Sequence, residues 1–388
     1  MMKTPMKTWG LLFAGCAAML WTAGCSDSKP VEPEADGQVE IVLSADFSDA
    51  VAGQVVSQNV RPGSRAVYNP VHEELDVNFA RLDMDATGAY PTDGYAATSA
   101  RLLEATLAEC TANQGTAEDP DYFTPITFDP KEYYLVGLDN TKNKSRLIGW
   151  YPRATPVAGV VTIAVDGETD IMVSNEVEGN KVDPCGKVSF QHVLTQLKIN
   201  AYALDEAAQT KWGAIESISL KTADDGSQGQ FYENCVITLP TAVTVGTPAK
   251  ATVTKDSGTT TGPTLAMKDV ADDSDLHTAD DTAAGGLVLP LATLDADKNI
   301  EDTNARPCGY AMFTPFAANE QITLEIVTTD GGTQNVLVDW KTGFEAGKAY
   351  TLTLRFTVSD IALKGEITAW TEYEWPTGEG DFKGEIEI

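Results

Sequence analysis

Residue types capable of acid–base, nucleophilic or metal chemistry occur throughout this chain of 388 residues, but their spacing assembles no reactive constellation. The histidines are His72, His192 and His277. None has a second histidine at i+4 or a nearby cysteine pair, so zinc ligation is not supported. His192 lies inside an apolar run and reads as a structural side chain. Neither a G-x-S-x-G elbow nor a P-loop occurs. Asp83-Met84-Asp85-Ala86-Thr87-Gly88 begins like a calcium loop, yet its twelfth position is Gly94 rather than a bidentate glutamate, so it reads as a turn between strands. Asp295-Ala296-Asp297-Lys298-Asn299 fails in the same way, with Ile300 where the loop needs glycine. Carboxylate pairs are frequent only because the chain is acidic, which adds nothing to a glycosidase reading. Trp150, Trp212, Trp340, Trp370 and Trp375 are of a type that stacks on sugars, but they read first as core or interface aromatics. The expectation is a non-enzyme without cofactor or metal.

Two positions instead invite chemistry done to the chain. Lys3 and Lys7 precede an apolar run, Trp9 to Trp21, too short for a stable membrane anchor. It ends in Leu20-Trp21-Thr22-Ala23-Gly24-Cys25 and turns polar at once. Small residues before a cysteine at that place resemble a lipobox, in which Cys25 is acylated and becomes the mature N-terminus, holding the protein on a membrane surface through lipid. Phe13-Ala14-Gly15-Cys16 is similar, but the chain stays apolar after it. The second position is Arg65-Ala66 in Gly63-Ser64-Arg65-Ala66, a flexible, exposed context suited to proteolysis. Arg61 is an alternative, made poorer by Pro62.

Composition sets the frame. Hydrophobic residues are 43% and charged residues 22%, which is globular. A formal net charge of -30 repels nucleic acid and anionic membrane surfaces, so neither is expected as a partner. Beyond Cys16 and Cys25, the scattered Cys110, Cys185, Cys235 and Cys308 form no CxxC. Buried thiols and bridges both fit an exported protein, and no pairing is assigned.

Elements that must position these features follow from periodicity. Residues 26–38 are acidic and Pro-rich, a tether. Val39, Ile41, Leu43 and Phe47 share one face of a clean strand. A loop, 48–64, without periodicity follows, and such loops are uncommon unless they have a task. Leu75 to Leu82 is a strand, and Ala97 to Cys110 has the spacing of a short amphipathic helix. Further strands are expected at 133–136, 146–151, 160–165 and 170–174. The polar stretch 176–183 marks a domain boundary. Val188 to Tyr202 alternates with a phase change near Val193-Leu194, expected to be a bulge. Strands continue at 215–220, 235–239, 287–291, 310–313, 322–328 and 336–340, interrupted by a polar excursion, 243–284. Tyr350 to Val358 alternates strictly. The chain then extends through Ile361, Leu363, Ile367 and Trp370, with Gly365 as a bulge or bend. Many short strands with few helices argue for antiparallel β-sandwiches.

This order of parts resembles the fimbrillins, type V pilin subunits of certain gram-negative bacteria. Phe190-Gln191-His192-Val193-Leu194-Thr195-Gln196-Leu197 is similar to the F-x-H-x-L-x-x-L opening of that family's second domain. Tyr151-Pro152 with Asp170 to Ser174 resembles the end of its first domain. Phe344 to Tyr350 followed by Ile367-Thr368-Ala369-Trp370 resembles its C-terminal pattern. The resemblance implies an all-β protein of two tandem transthyretin-like antiparallel β-sandwich domains with short helical insertions, divided as signal peptide 1–25, tether 26–38, removable strand and loop 39–65, first domain 66–182 and second domain 183–388. It also implies a precursor held in the outer membrane by lipid at Cys25 and cut after Arg65 by a trypsin-like surface protease. The displaced strand would be Val39, Ile41, Leu43 and Phe47. The donor strand of another fimbrial subunit, like or unlike, would be Ile361, Leu363, Ile367 and Trp370 within 361–388. The function so implied is a structural, adhesive fimbrial subunit, exposed at the outer membrane and in the fimbrium after processing. Alternatives are a tip or anchor subunit, or a monomeric surface lipoprotein binding glycans.

Overall fold

Alternation of apolar and polar residues, with β-branched and aromatic side chains at the inward positions, commits most of the chain to strands. The computed structural model describes residues 38–47, 74–108, 124–136, 142–222, 229–259, 261–264, 286–338 and 341–369. In chain order the first strands are β1 (Leu43–Phe47), β2 (Leu75–Asp83), β3 (Arg101–Leu107), β4 (Thr124–Phe128) and β5 (Ser145–Tyr151). They continue as β6 (Val160–Ala164), β7 (Met172–Ser174), β8 (Val177–Gly179), β9 (Val188–His192) and β10 (Thr195–Ala203). A short helix α1 (Glu206–Trp212) follows, then β11 (Ala214–Thr222), β12 (Phe231–Thr238), β13 (Thr252–Thr259) and β14 (Thr261–Thr264). The last group is β15 (Leu287–Val288), β16 (Thr293–Leu294), β17 (Ile300–Asp302), β18 (Arg306–Phe313), β19 (Ile322–Thr328), β20 (Gly332–Val338), β21 (Lys348–Phe356) and β22 (Ile361–Ala369).

The N-terminal strands close on themselves. Pairing runs β2-β3-β4-β1-β9-β7-β5, and β5 pairs back to β2, so seven strands form a ring whose seam β8 extends along β5. Its interior is a core of Val77, Phe79, Leu103, Leu107, Leu147 and Phe190 among others. The C-terminal strands form two facing sheets, β18-β10-β21-β22 and β14-β11-β19-β20. Leu197, Ile199, Leu352 and Leu354 from the first share a core with Ile218, Leu220, Leu324 and Ile326 from the second, a sandwich in the ordinary sense. A third core joins the outer face of the ring (Ile148, Trp150) to Val161 and Ile237 of the sheet β13-β12-β6 and to Tyr310 and Met312 of β18. Pairing of β6 with β12, and of β1 with β9, crosses the 182/183 division suggested by composition.

Several expectations are corrected. The helix expected from Ala97 to Cys110 is not found over its described residues, 97–108: β3 lies antiparallel between β2 and β4, with Leu103, Ala105 and Leu107 inward and Leu102 outward. A period-two reading fits those residues, and the leucine spacing imitated a helix. The 243–284 excursion contains two strands, β13 paired with β12 and β14 paired with β11. Residues 133–136 make only an isolated bridge, Glu40 with Tyr133. The phase change at Val193-Leu194 is not a bulge but a change of sheet, from the ring (β9) to the sandwich (β10). Gly365 makes no bulge, since β22 pairs with β21 without register shift from Ile361 opposite Phe356 to Ala369 opposite Lys348. Helix α1 is capped by Asp205, whose side chain accepts from the Ala208 amide, a start signal the alternation reading passed over.

The seam of the ring is tied by a buried charge cluster. Arg146 on β5 is fully buried and bonds Glu176 Oε2 at 2.6 Å and Glu178 Oε2 through Nε at 2.8 Å. Its Nη1 also donates to the Thr247 carbonyl, while the Tyr90 ring lies 4.9 Å from its guanidinium carbon. Burial pushes the Glu178 carboxyl up, but hydrogen bonds from Lys144, Arg146 and the Gly246 amide outweigh it and leave its pKa below the glutamate value of 4.5. A carboxylate with a depressed folded pKa stabilises the fold above the unfolded value, and that contribution is lost as pH falls through the folded one. Below pH 4.5 the denaturation midpoint of the native chain is therefore expected to drop more steeply than that of a Glu178→Gln variant, measured by urea unfolding across a pH series.

Candidate functional site

The site worth building is the slot that β1 occupies. From Val39 to Phe47 the backbone is paired along its length. The Ile41 amide donates to the Glu132 carbonyl (2.8 Å), and the Tyr134 amide donates to the Val39 carbonyl (2.9 Å). Leu43, Ser44 and Ala45 then stand antiparallel to Ile126, Pro125 and Thr124 of β4. On the other edge, Ala45, Asp46 and Phe47 run parallel to Val188, Ser189 and Phe190 of β9. Thus β1 is interior to the ring and not at its rim. Ile41, Leu43 and Ala45 are 2%, 3% and 2% exposed, whereas Val42 is 53% exposed. The alternation read from sequence is the alternation seen, with Val39 partly buried against the same core.

Aromatic packing forms the floor of the slot. Phe79 on β2 meets Phe128 of β4 and Phe190 of β9 edge to face, with centroids 5.5 and 6.1 Å apart. Gly149 on β5 lets Phe79 approach the backbone: a Cβ there would sit 2.8 Å from two of its ring carbons and 3.1 Å from Phe190. The wall at Glu132 to Tyr134 is irregular chain, held by a buried arginine. Arg81 donates to Glu132 Oε2 (2.7 Å), to the Tyr133 carbonyl (2.9 Å), to Asp83 Oδ1 (2.8 Å) and to Ser145 Oγ (3.1 Å). Arg101 reaches the other Glu132 oxygen at 2.5 Å. At the far side the Tyr134 hydroxyl accepts from the Cys185 amide at 2.6 Å, and burial pushes the Cys185 thiol up to about 11. Alternation alone does not find Arg81, Glu132 or Tyr134. The signal present was a cation inside an apolar strand, Phe79-Ala80-Arg81-Leu82.

The second half of the candidate site is the terminal hairpin. Among the described residues β22 is the last strand of its sheet, paired over nine residues with β21, and Ile361 and Leu363 pack against the sandwich core. Ile361, Leu363 and Ile367, expected to serve another subunit, thus lie in a strand of this chain's own sheet. Between slot and hairpin lies the change of sheet. His192 Nδ1 is 2.6 Å from Asp170 Oδ2, both buried or nearly so, and the Gly347 amide just before β21 donates to the Leu194 carbonyl. His192 is accordingly a satisfied structural histidine.

Asp83 faces Arg81, while Asp85 accepts from the Thr87 amide and hydroxyl (2.8 and 2.6 Å) and closes its own turn. Asp295 does the same with the amides of Asp297 and Asn299. Trp150 and Trp212 are buried, their indole N–H groups donating to the carbonyls of Ala154 and Thr357, and neither presents a face for sugars. Cys185, Cys235 and Cys308 are buried free thiols. Cys25, Arg61, Arg65, Ala66, His72, Cys110, His277, Trp340, Trp370 and Trp375 lie outside the described residues, as do the side chains of Phe47 and Ile367.

Residues 89–370 match the family model described as fimbrillin-like. No curated protein matches the sequence. Among solved structures, a candidate cell adhesion protein from Bacteroides uniformis is 17% identical, with 87% of this chain and 99% of that one covered and a TM-score of 0.49. A fimbrial protein from Bacteroides vulgatus is 12% identical over 76% and 93%, TM-score 0.36. The tip fimbrial protein Mfa3 from Porphyromonas gingivalis, with C-terminal truncation, is 10% identical over 85% and 100%, TM-score 0.34.

The slot floor provides a test of its packing. Gly149→Ala forces Phe79 and Phe190 aside and is expected to cost about 1–3 kcal/mol of stability, read as a lower denaturant midpoint with unchanged slope.

Proposed function

The chain belongs to the fimbrillin-like family, and from that premise we propose that it is a fimbrial subunit that polymerises when β1 is cut free and replaced by a strand of another subunit. The observation that carries this reading is the two-sided pairing of β1 within the ring, together with its buried Ile41, Leu43 and Ala45. Losing such a strand exposes unpaired backbone on β4 and β9 and an apolar slot. The two large side chains alone account for about 3–6 kcal/mol of burial. A strand of matching pattern would recover both terms, which is strand addition of the donor-complementation kind.

Protease gating has a simple thermodynamic basis. While β1 is covalently joined to its own ring, its local concentration is far above that of any competitor. A cut after Arg65 makes β1 a separate ligand that leaves the complex by dilution. Arginine placement supports a single productive cut. Arg81, Arg101, Arg146, Arg306 and Arg355 lie within strands, and Arg153 donates to the carbonyls of Val77 and Ala105. Arg61 and Arg65 are the remaining arginines, and Arg61 precedes Pro62. In this reading lipid at Cys25 holds the precursor at the outer membrane until the cut, and the fimbrium then serves adhesion.

The experiment is processing of the purified full-length chain by an arginine-specific protease. Native chain is expected to give an SDS-resistant ladder, and Arg65→Ala is expected to remain monomeric under the same treatment. Ladders of equal intensity from both would reject the proposal.

A further inference from the structure

A strand at the end of a sheet can accept another strand, and proteins ordinarily guard such edges with charge, proline or a kink. The described end strands of this chain are guarded unevenly. β13 carries Lys255 and Asp256 and is kinked at Ser257, whose φ is 60°. β14 contains Pro263, and β22 carries Lys364 and Glu366. β6 is uncharged but five residues short. β20, at the end of β14-β11-β19-β20, has none of these devices: its seven residues read Gly-Thr-Gln-Asn-Val-Leu-Val, without charge or proline. Its ladder to β19 runs from Gly332 to Val338 with no register shift, so the edge is regular. Among the described residues no strand pairs with its other side.

That edge matches itself. Val338 belongs to the sandwich core and Val336 packs against it, while Thr333, Asn335 and Leu337 point outward, with Leu337 50% exposed. An antiparallel copy centred on Asn335 sets Gly332 against Val338, Thr333 against Leu337 and Gln334 against Val336. Each pair joins residues of one face, so core side continues as core side and outer side as outer side. A register one residue off would join the inner face of one sheet to the outer face of its copy. Charge permits the same arrangement. Asn335 stands opposite Glu325 of β19, which is ion-paired with Lys221 of β11. Across the join the two Glu325 residues lie three strand spacings apart, about 14 Å, beyond the screening length of about 8 Å in physiological salt. A basic partner finds no carboxylate on the strand itself to hold it.

We infer that β20 is a docking edge for a second copy of this chain, the two β20 strands pairing antiparallel about a two-fold axis at Asn335 to make one continuous sheet. The contact is isologous, so it closes at two copies. It uses neither β1 nor β22. A single ladder of this length associates weakly, because the freedom lost on docking offsets most of its bonds. Copies held in a row along a fibre add their ladders, and the contact then ties one fibre laterally to another. That lateral role rests on the fimbrial reading above, whereas the pairing of two copies does not.

The test is sedimentation equilibrium of the uncut full-length chain from about 10 µM to about 1 mM, the range in which one ladder acts. A monomer–dimer equilibrium is expected. It tightens as salt is raised, because screening relieves the repulsion between two chains of net charge -30. Asn335→Lys combined with Leu337→Lys sets lysine against lysine at the centre and acts twice by symmetry, so the dimer is expected to weaken at least about tenfold. Thr252→Lys combined with Thr254→Lys adds the same charge to exposed positions of β13 and is expected to leave the dimer as tight or tighter. An unchanged urea midpoint establishes that both variants keep the fold. A native chain that stays monomeric throughout, a dimer that weakens as salt rises, or equal dimerisation of the two variants overturns the inference.

Discussion

The structure depends on the requirement that backbone N–H and C=O groups shielded from water find partners. β1 meets that requirement on both edges, and in doing so closes a ring in which β4 and β9 would otherwise each be left with one neighbour. A strand at a rim can be lost at the cost of one ladder. A strand inside a ring leaves two raw edges and an open core, so its removal is tolerable only when another strand takes its place. That asymmetry is what the proposed exchange of β1 rests on.

Continuity between slot and hairpin comes from one segment. β9 forms a wall of the slot, and two residues later β10 is a central strand of the sandwich, flanked by β18 and β21. β21 in turn carries β22. The wall of the slot and the sheet that carries β22 are therefore braced by the same run of chain, 188–203, and by the core that Leu194 and Met312 share with Ile148 and Trp150.

Two buried arginines on adjacent strands do different work from the apolar core around them. Arg81 faces Glu132 and the Tyr133 carbonyl, and Arg146 faces Glu176 and Glu178. Ion pairs in such settings add little net stability, since desolvation offsets attraction, but a displaced partner is heavily penalised. Their effect is to fix where irregular chain lies: 132–134 beside the slot, and 244–249 over the seam, where the Thr247 carbonyl and the Ala249 amide are held by Arg146 and Glu176. Neither segment has a strand ladder of its own to hold it.

Period-two patterning by itself determined that this is a β protein, where most strands run and which face of the 39–47 strand is inward. These are local properties, since side chains of a strand alternate whatever it pairs with. The same logic failed where local spacing is ambiguous, as in β3, whose leucines fit a helix until β2 and β4 are placed beside them, and at Val193-Leu194, where a change of phase does not say whether the strand bulges or changes sheet. Only the tertiary structure decided that β1 lies between β4 and β9, that the ring closes through β5 and β2, and that Arg81 braces the slot. Those facts depend on which distant segments meet, and hydrogen-bond partners in a sheet are chosen by the assembled core rather than by the strand's own residues.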